Sequence, residues 1–360
     1  MKKVLILTSE RTGSGHKSSS NAIEKKLREA GYDCLQVDVF PLMGRFGSRL
    51  ENSYIPVTTR APFLFLFGER LSQCFPGIVH SVIYRKVRKG LLGVIGEYRP
   101  DLILSVHCMF TKAVSRLIRK ERLAVPFYVG VIDLVDPPRV WEDKRADMSF
   151  VPTEAVRDRY LKKGFRSERV LVSGFPVRDD ICPPTVPKRI GEPMQILMLN
   201  PSTDLKKNIR LIRETARLEN VRIRVACGLD ERLYKKLLKM QEEGELPDGV
   251  SVYGFVRNMH EHLAQCQILM TKAGPNAMIE GVRSGCAVVV TGHINGHENR
   301  NYRFILDNGY GIRCEDPGRI YSSLYELIHS GELERCLENT VSHGIGNGAE
   351  VIAEYVKAHI

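Results

Sequence analysis

Val4 to Ile23 read VLILTSERTGSGHKSSSNAI. The continuous apolar run Val4–Leu7 has the form of a parallel strand buried on both faces. A glycine-bearing turn follows it. Lys17–Ala30 then place Ala22, Ile23, Leu27 and Ala30 on one helical face, with Gly31 as the stop. Strand, turn and helix in immediate succession open a βαβ unit, and the same alternation continues outward from it.

In the first half, Cys34–Val39, Leu102–Val106, Phe127–Ile132 and Met148–Val151 read as further buried strands, mostly followed by helical periodicity. CPPTVPKRIGEP, Cys182–Pro193, interrupts the pattern and reads as a linker. Gln195–Leu199, Arg222–Cys227, Val250–Tyr253, Ile268–Thr271 and Ala287–Thr291 form a second series. The expected fold class is therefore α/β. Two Rossmann-like doubly wound domains are expected to face each other across a cleft, with ligands at the carboxyl ends of the strands.

The 360 residues are 43% hydrophobic and 26% charged, the balance of a soluble globular protein with material for two cores. No run approaches the ~20 apolar residues of a membrane span. Nine cysteines without a C-x-x-C pair argue against a disulfide framework and a zinc site. Reduced thiols and a cytoplasmic location are expected. The net charge of +11 calls for an anionic partner. The sequence shows neither zinc-finger spacing, RNP-type aromatics nor an arginine-rich tail, so no nucleic acid is expected. Anionic membranes and anionic small molecules remain.

Three chemistries compete for Gly13-Ser14-Gly15-His16-Lys17-Ser18. A Walker loop needs a glycine before the Lys-Ser pair, where this chain has His16. A dinucleotide fingerprint needs a third glycine where Ser18 stands, although Asp38 mimics the ribose-binding acid of that motif. In the third reading His16 projects from the helix N-terminus, where the dipole favours a neutral imidazole able to act as a general base. A capping or packing histidine fits the position equally well.

Ile268–Val290 read ILMTKAGPNAMIEGVRSGCAVVV: strand, Gly-Pro turn, helix, strand. Glu280 lies one turn into that helix on the face of Asn276, placed to accept from the paired hydroxyls of a ribose. The amides at the helix start suit a diphosphate. A lone glutamate on a helix is otherwise a solvated residue. The loop after the next strand crowds Gly296, His297, Glu298 and Asn301, and Phe255-Val256 follow another strand where a turn can meet a flat base.

Six motifs then align in order and spacing. Gly13-x-Gly15-His16, RPDLILSVH (Arg99–His107), SGFPV (Ser173–Val177), GFVRNM (Gly254–Met259), TKAGPNAMIEG (Thr271–Gly281) and GHINGHENRN (Gly292–Asn301) resemble the family 28 glycosyltransferases over nearly the whole chain. Within that family the likeness is to monogalactosyldiacylglycerol synthases and processive diacylglycerol glucosyltransferases. The resemblance implies a GT-B fold and an inverting transfer of glucose or galactose from a UDP-sugar to diacylglycerol. No cofactor beyond that co-substrate is implied, and no bound metal. His16 matches the base for the acceptor hydroxyl, Glu280 the ribose ligand, and Phe255 with Val256 the turn at the uracil. Glu298 matches the acid of a Gln-Glu pair at the sugar, with His297 in place of the Gln. Gly15, Lys272, Gly274, Pro275, Asn276, Gly296 and Asn301 complete the expected donor-binding set.

The chain departs from the family at three further places. The glycine-rich loop that opens the second domain is LNPSTDLKKNI here, from Leu199, leaving Ser202, Thr203 and Lys206 to meet the phosphates, with Lys207 beside them. The Thr-Asp pair after the fourth strand is Ile132-Asp133, and the histidine that follows it in the family is absent; Asp133 is expected to orient His16 or the acceptor. Phe63, Phe65 and Phe67 lie in an apolar run, with Arg85, Lys86, Arg88 and Lys89 beyond it. By pattern alone that region is a core helix with a solvated basic face. The family's use of it implies a surface for an anionic membrane and a lipid acceptor.

The division expected is 1–181 for acceptor and membrane, 182–193 as linker, 194–340 for the UDP-sugar, and 341–360 as a C-terminal helix packing back on the first domain. The enzyme implied is cytoplasmic and peripheral to the membrane. The alternatives keep the fold with another lipid or soluble acceptor, or make the chain a non-catalytic nucleotide-binding protein at a membrane.

Overall fold

The structure, a computed structural model, describes residues 1–10, 14–60, 76–293 and 300–360. The described residues form two units, one within Met1–Arg178 together with Gly346–Ile360, the other of 179–293 with 300–345.

The first unit holds β1 (Lys3–Thr8), β2 (Asp33–Asp38), β3 (Leu102–Ser105), β4 (Phe127–Gly130), β5 (Met148–Val151) and β6 (Val170–Val172). Its described helices are α1 (Ser14–Glu29), α2 (Val39–Leu42), α3 (Gly44–Arg60), α4 (Pro76–Tyr98), α5 (Thr111–Glu121) and α6 (Glu154–Lys162). The strands form one parallel sheet in the order β2-β1-β3-β4-β5-β6, with Val4 opposite both Cys34 and Leu102. Every residue of β3, β4 and β5 is buried, as the unbroken apolar runs require. Helix α1 buries Ala22, Ile23 and Leu27 on that sheet and ends at Gly31, whose φ of +90° is the left-handed stop. It begins at Ser14, a turn earlier than the periodicity indicates, so His16 sits inside its first turn.

The second unit repeats the plan with β7 (Met194–Leu199), β8 (Val221–Ala226), β9 (Val250–Tyr253), β10 (Ile268–Lys272), β11 (Ala287–Gly292) and β12 (Gly311–Arg313). Its described helices are α7 (Leu205–Thr215), α8 (Glu231–Glu242), α9 (Met259–Gln265), α10 (Pro275–Arg283), α11 (Tyr302–Asp307), α12 (Ile320–His329) and α13 (Glu332–Ser342). The order is β12-β11-β10-β7-β8-β9, again parallel throughout. Ile196, Met198, Ile223, Val225, Met270 and Val289 share one core with Leu211, Leu237 and Leu324 of the helices above them. Gly281 lets α10 settle on β10, since a Cβ there would stand 2.4 Å from Leu269 Cδ2.

Two short edge strands, β6 and β12, escape the sequence pattern because three residues carry no legible period. The proline-rich stretch is packed onto the second unit. Lys188 Nζ donates to the carbonyls of Leu263 and Cys266, and Pro184 lies where a Cβ on Gly285 would clash. The last helix, α14 (Gly348–His359), belongs to the first unit: Tyr32 donates to the Val356 carbonyl and Lys26 pairs with Glu350 at 3.4 Å.

In doubly wound sheets the loops diverge where the strand order reverses, and ligands bind in that crevice. The reversal lies between β1 and β3 in the first sheet and between β7 and β10 in the second.

Candidate active site

At the first reversal point the loop after β1 delivers His16 and the loop after β3 delivers His107. The ladder continues one residue past β3, Val106 N–H donating to Leu7 at 2.9 Å, which brings the Val106 carbonyl to α1. His16 Nδ1 lies 2.8 Å from that oxygen. A carbonyl only accepts, so Nδ1 carries a hydrogen, which leaves the lone pair of the neutral ring on Nε2. The half-buried ring has its centroid 4.3 Å from that of His107 and 6.2 Å from Trp141. Trp141 is buried in a turn at Arg139–Trp141, and its indole N–H donates to Asp133 Oδ2 at 2.6 Å. Gly15 is the second residue of α1. Asp38 is taken up locally, its carboxylate accepting from the amides of Phe40 and Glu10. That capping role explains its place at a strand end without a ribose.

At the second reversal point two helix N-termini lie side by side in the sheet order, and they differ. Asp204 caps α7, accepting from Lys207 N–H at 2.7 Å. Its own amide donates to Ser202 Oγ at 3.1 Å, while Asn208 donates to the Ser202 carbonyl and Thr291 to that of Pro201. Ser202 is buried in this network. Asn200 turns the chain without a glycine, at φ +45°, a region asparagine tolerates better than most residues. The negative Asp204 already complements the α7 dipole. Helix α10 is the opposite case. Gly274 stands at its N-cap with no side chain to offer the first-turn amides, and Pro275 is the first helical residue. Asn276 and Glu280 follow on one face, half-buried, with Lys272 half-buried at the end of β10.

Lys206 is exposed, whereas Lys207 is half-buried and reaches toward the end of β11, its Nζ 3.8 Å from where a Gly292 Cβ would be. Phe255 is 65% exposed after β9, and Val256 beside it is half-buried. Asn301 is buried and donates to the Ala273 carbonyl at 3.4 Å, tying the segment before α11 to the turn before α10. Gly296, His297 and Glu298 lie outside the described residues.

His293, which the motif reading passed over, follows β11 and bonds Glu315 through Nδ1 at 2.9 Å. Burial pushes the Glu315 carboxyl up, but the hydrogen bonds from His293 and Arg313 outweigh it and hold the group below its ordinary value. Arg313 also covers the Tyr302 ring at 3.8 Å. A histidine in a motif rich in histidines gave the available signal; its partner, more than twenty positions on, gave none.

The basic series lies on α4. Ile83, Tyr84, Val87 and Leu91 are buried, and Arg85, Lys86, Arg88 and Lys89 are exposed. Ile78 and Val82 extend the outer face of α4 toward its N-terminus, 65% and 38% exposed. On α3, Phe46 and Leu50 are exposed among Arg45 and Arg49, and Lys86 Nζ approaches the Phe46 ring at 5.7 Å. Arg88 pairs with Glu121. Phe63, Phe65 and Phe67 lie outside the described residues, and the apolar members of this surface that are described were not singled out by the sequence. Among the described residues no helix is long and apolar enough to cross a membrane, and no group of His, Cys, Asp and Glu is gathered to hold a metal.

Residues 16–177 match the family model of monogalactosyldiacylglycerol (MGDG) synthase. The chain is 27% identical to monogalactosyldiacylglycerol synthase 1, chloroplastic, of Arabidopsis thaliana, across 94% of this chain and 68% of that protein. It is 23% identical to a processive diacylglycerol beta-glucosyltransferase of Bacillus cereus, across 91% of this chain and 85% of the other. The solved structure of Acinetobacter baumannii MurG shares the fold at a TM-score of 0.68 and 13% identity, covering 99% of this chain and 100% of that one. Two parallel six-stranded sheets with alternating helices are the GT-B plan. The family match and the relatives in sequence relate the chain to the monogalactosyldiacylglycerol synthases, and the solved structure shows that it has the GT-B fold.

Proposed function

We propose that the protein transfers a hexose from a UDP-sugar to diacylglycerol at a membrane surface, inverting the anomeric carbon. The observation that carries this reading is His16 at the reversal point of the first sheet, with Nδ1–H on the Val106 carbonyl and Nε2 as the proton acceptor. The acceptor hydroxyl oxygen bonds to the sugar's anomeric carbon as the bond from that carbon to the β-phosphate oxygen breaks. The hydroxyl proton passes to His16 Nε2, and UDP leaves with the electron pair. Asp133 orients the acceptor from its place on Trp141.

For the donor, the two helix N-termini divide the labour. The side-chain-free cap of α10 receives the diphosphate, because α7 is already capped by a carboxylate that repels one. Lys207 and Lys272 supply positive charge as UDP departs, in place of the expected Lys206. Glu280 takes the ribose hydroxyls, and the exposed Phe255 with Val256 meets the uracil. Gly296, His297 and Glu298 hold the sugar. Arg85, Lys86 and Lys89, with Ile78 and Val82, seat α4 on an anionic bilayer, making this a peripheral protein of the cytoplasmic side.

The test is UDP release from UDP-glucose and UDP-galactose, with and without vesicles of diacylglycerol and anionic lipid. Release is expected to require diacylglycerol. His16→Ala is expected to lower turnover by about a hundredfold to ten-thousandfold while leaving UDP binding intact. Glu280→Ala is expected to raise the donor KM by about tenfold or more. Tight UDP binding with release indifferent to diacylglycerol would remove the acceptor assignment.

A further inference from the structure

His107 is a buried imidazole held by contacts on several sides. It follows the β3 ladder in extended conformation, at φ −137°, and caps the short turn Cys108–Phe110 by accepting from Met109 N–H at 3.3 Å. Its ring meets Phe40 edge-on at 5.5 Å and Phe110 at 5.1 Å. Its ring also meets His16, at 4.3 Å and 32° between planes. Adjacent residues of one strand end thus serve a single imidazole: Val106 fixes the Nδ1 hydrogen of His16, and His107 lies along its face.

The two rings are opposite tautomers. His16 donates through Nδ1, whereas His107 accepts through Nδ1 and therefore carries its hydrogen on Nε2. Protonating His107 at Nδ1 would break its cap and set two cations against each other once His16 is charged. His107 is thus the neutral member of the pair. It presents an aromatic face to the ring that becomes cationic during transfer. Cap and ring are separable demands: asparagine satisfies the first, phenylalanine the second, and histidine meets both.

We propose that His107 is a positioning residue for the glycosyl transfer, holding the ring plane of His16 and stabilising its imidazolium through the tilted ring that lies against it. This rests on the reading of His16 as the base. The experiment compares His107→Asn, His107→Phe, His16→Ala and the double variant H16A/H107N, measuring kcat, donor KM, UDP binding and thermal midpoint with diacylglycerol vesicles. His107→Asn, which keeps the cap, is expected to keep the midpoint, donor KM and UDP affinity and to lose about fivefold to tenfold in kcat, the size of a lost aromatic stack. His107→Phe is expected to lose thermal stability yet retain kcat within about twofold. In the double variant the Asn change should cost nothing beyond His16→Ala, because its effect passes through that ring.

Wild-type kcat in His107→Asn, or losses in both variants that follow their midpoints, would make His107 a packing residue and overturn the proposal. Multiplicative losses in the double variant would place its action elsewhere and overturn it too. Full turnover in His16→Ala would sink the base reading itself, and this proposal with it, without reference to any His107 variant.

Discussion

At the scale of single residues, two histidines of the first unit show what environment does to one side chain. His80 is buried on α4, and among the described residues neither ring nitrogen has a hydrogen-bond partner. Burial, aided by the nearby Lys112 and Arg145 charges and opposed by Asp143, pushes its pKa down to about 4. The folded chain keeps this ring neutral while the unfolded chain protonates it below about 6.5, so stability drains as pH falls from 6.5 toward 4. The loss is on the order of 3 kcal/mol for that group. His80→Phe should flatten this part of the stability profile, measured by urea unfolding at pH 7, 5.5 and 4. An unchanged slope would mean that His80 is charged when folded. His16, on α1, differs because a backbone carbonyl holds it. The residue type and its place at a helix start were legible in the sequence. The Val106 carbonyl that fixes the tautomer was not, because a main-chain oxygen leaves no mark on residue identity.

At the scale of elements, long apolar strands such as β1 and β11 were legible because both their faces are buried and the runs are unbroken. The three-residue strands β6 and β12 were not, and the start of α1 was misplaced by a turn because its Ser-Gly opening has no apolar period. The family's glycine loop is replaced by side-chain chemistry, Asn200 in the left-handed region and Asp204 at the cap, which no glycine count reveals. Packing of α14 turns on backbone approach. A Cβ on Gly348 would stand 2.3 Å from the Gly174 carbonyl oxygen, whereas one on Gly346 meets nothing within 4 Å. Gly348→Ala should therefore destabilise the fold by about 1–3 kcal/mol, with Gly346→Ala as the milder control. Because α14 braces Tyr32 and Lys26 near the end of α1, the helix that carries His16, the loss should reach turnover as well. Equal thermal midpoints for both variants would show that the Gly174–Gly348 approach is not tight.

At the scale of the whole molecule, the net charge of +11 and the exposed apolar side chains of α3 and α4 raise one question, whether charge or burial would carry the bilayer binding proposed above. The two make different demands on salt. Exposed charges act over a Debye length of about 8 Å at physiological ionic strength and about 3 Å at 1 M, so attraction by Arg85, Lys86 and Lys89 fades as salt rises. Burial of Ile78 and Val82 does not fade. Each cation near an anionic surface contributes about 1 kcal/mol, so replacing Arg85, Lys86 and Lys89 with Gln should weaken binding to anionic vesicles by roughly a hundredfold at low salt. At 1 M salt the difference should nearly vanish. Ile78→Ser with Val82→Ser should instead weaken binding at every salt concentration. Both sets lie on α4 of the first unit, whereas Lys207, Phe255, Lys272 and Glu280 belong to the second, so UDP affinity in solution should stay at the wild-type value. Vesicle co-sedimentation across a salt series separates the two contributions. If the triple Gln variant binds anionic vesicles as the wild type does at low salt, α4 is not the docking surface, and the excess charge serves the donor side instead.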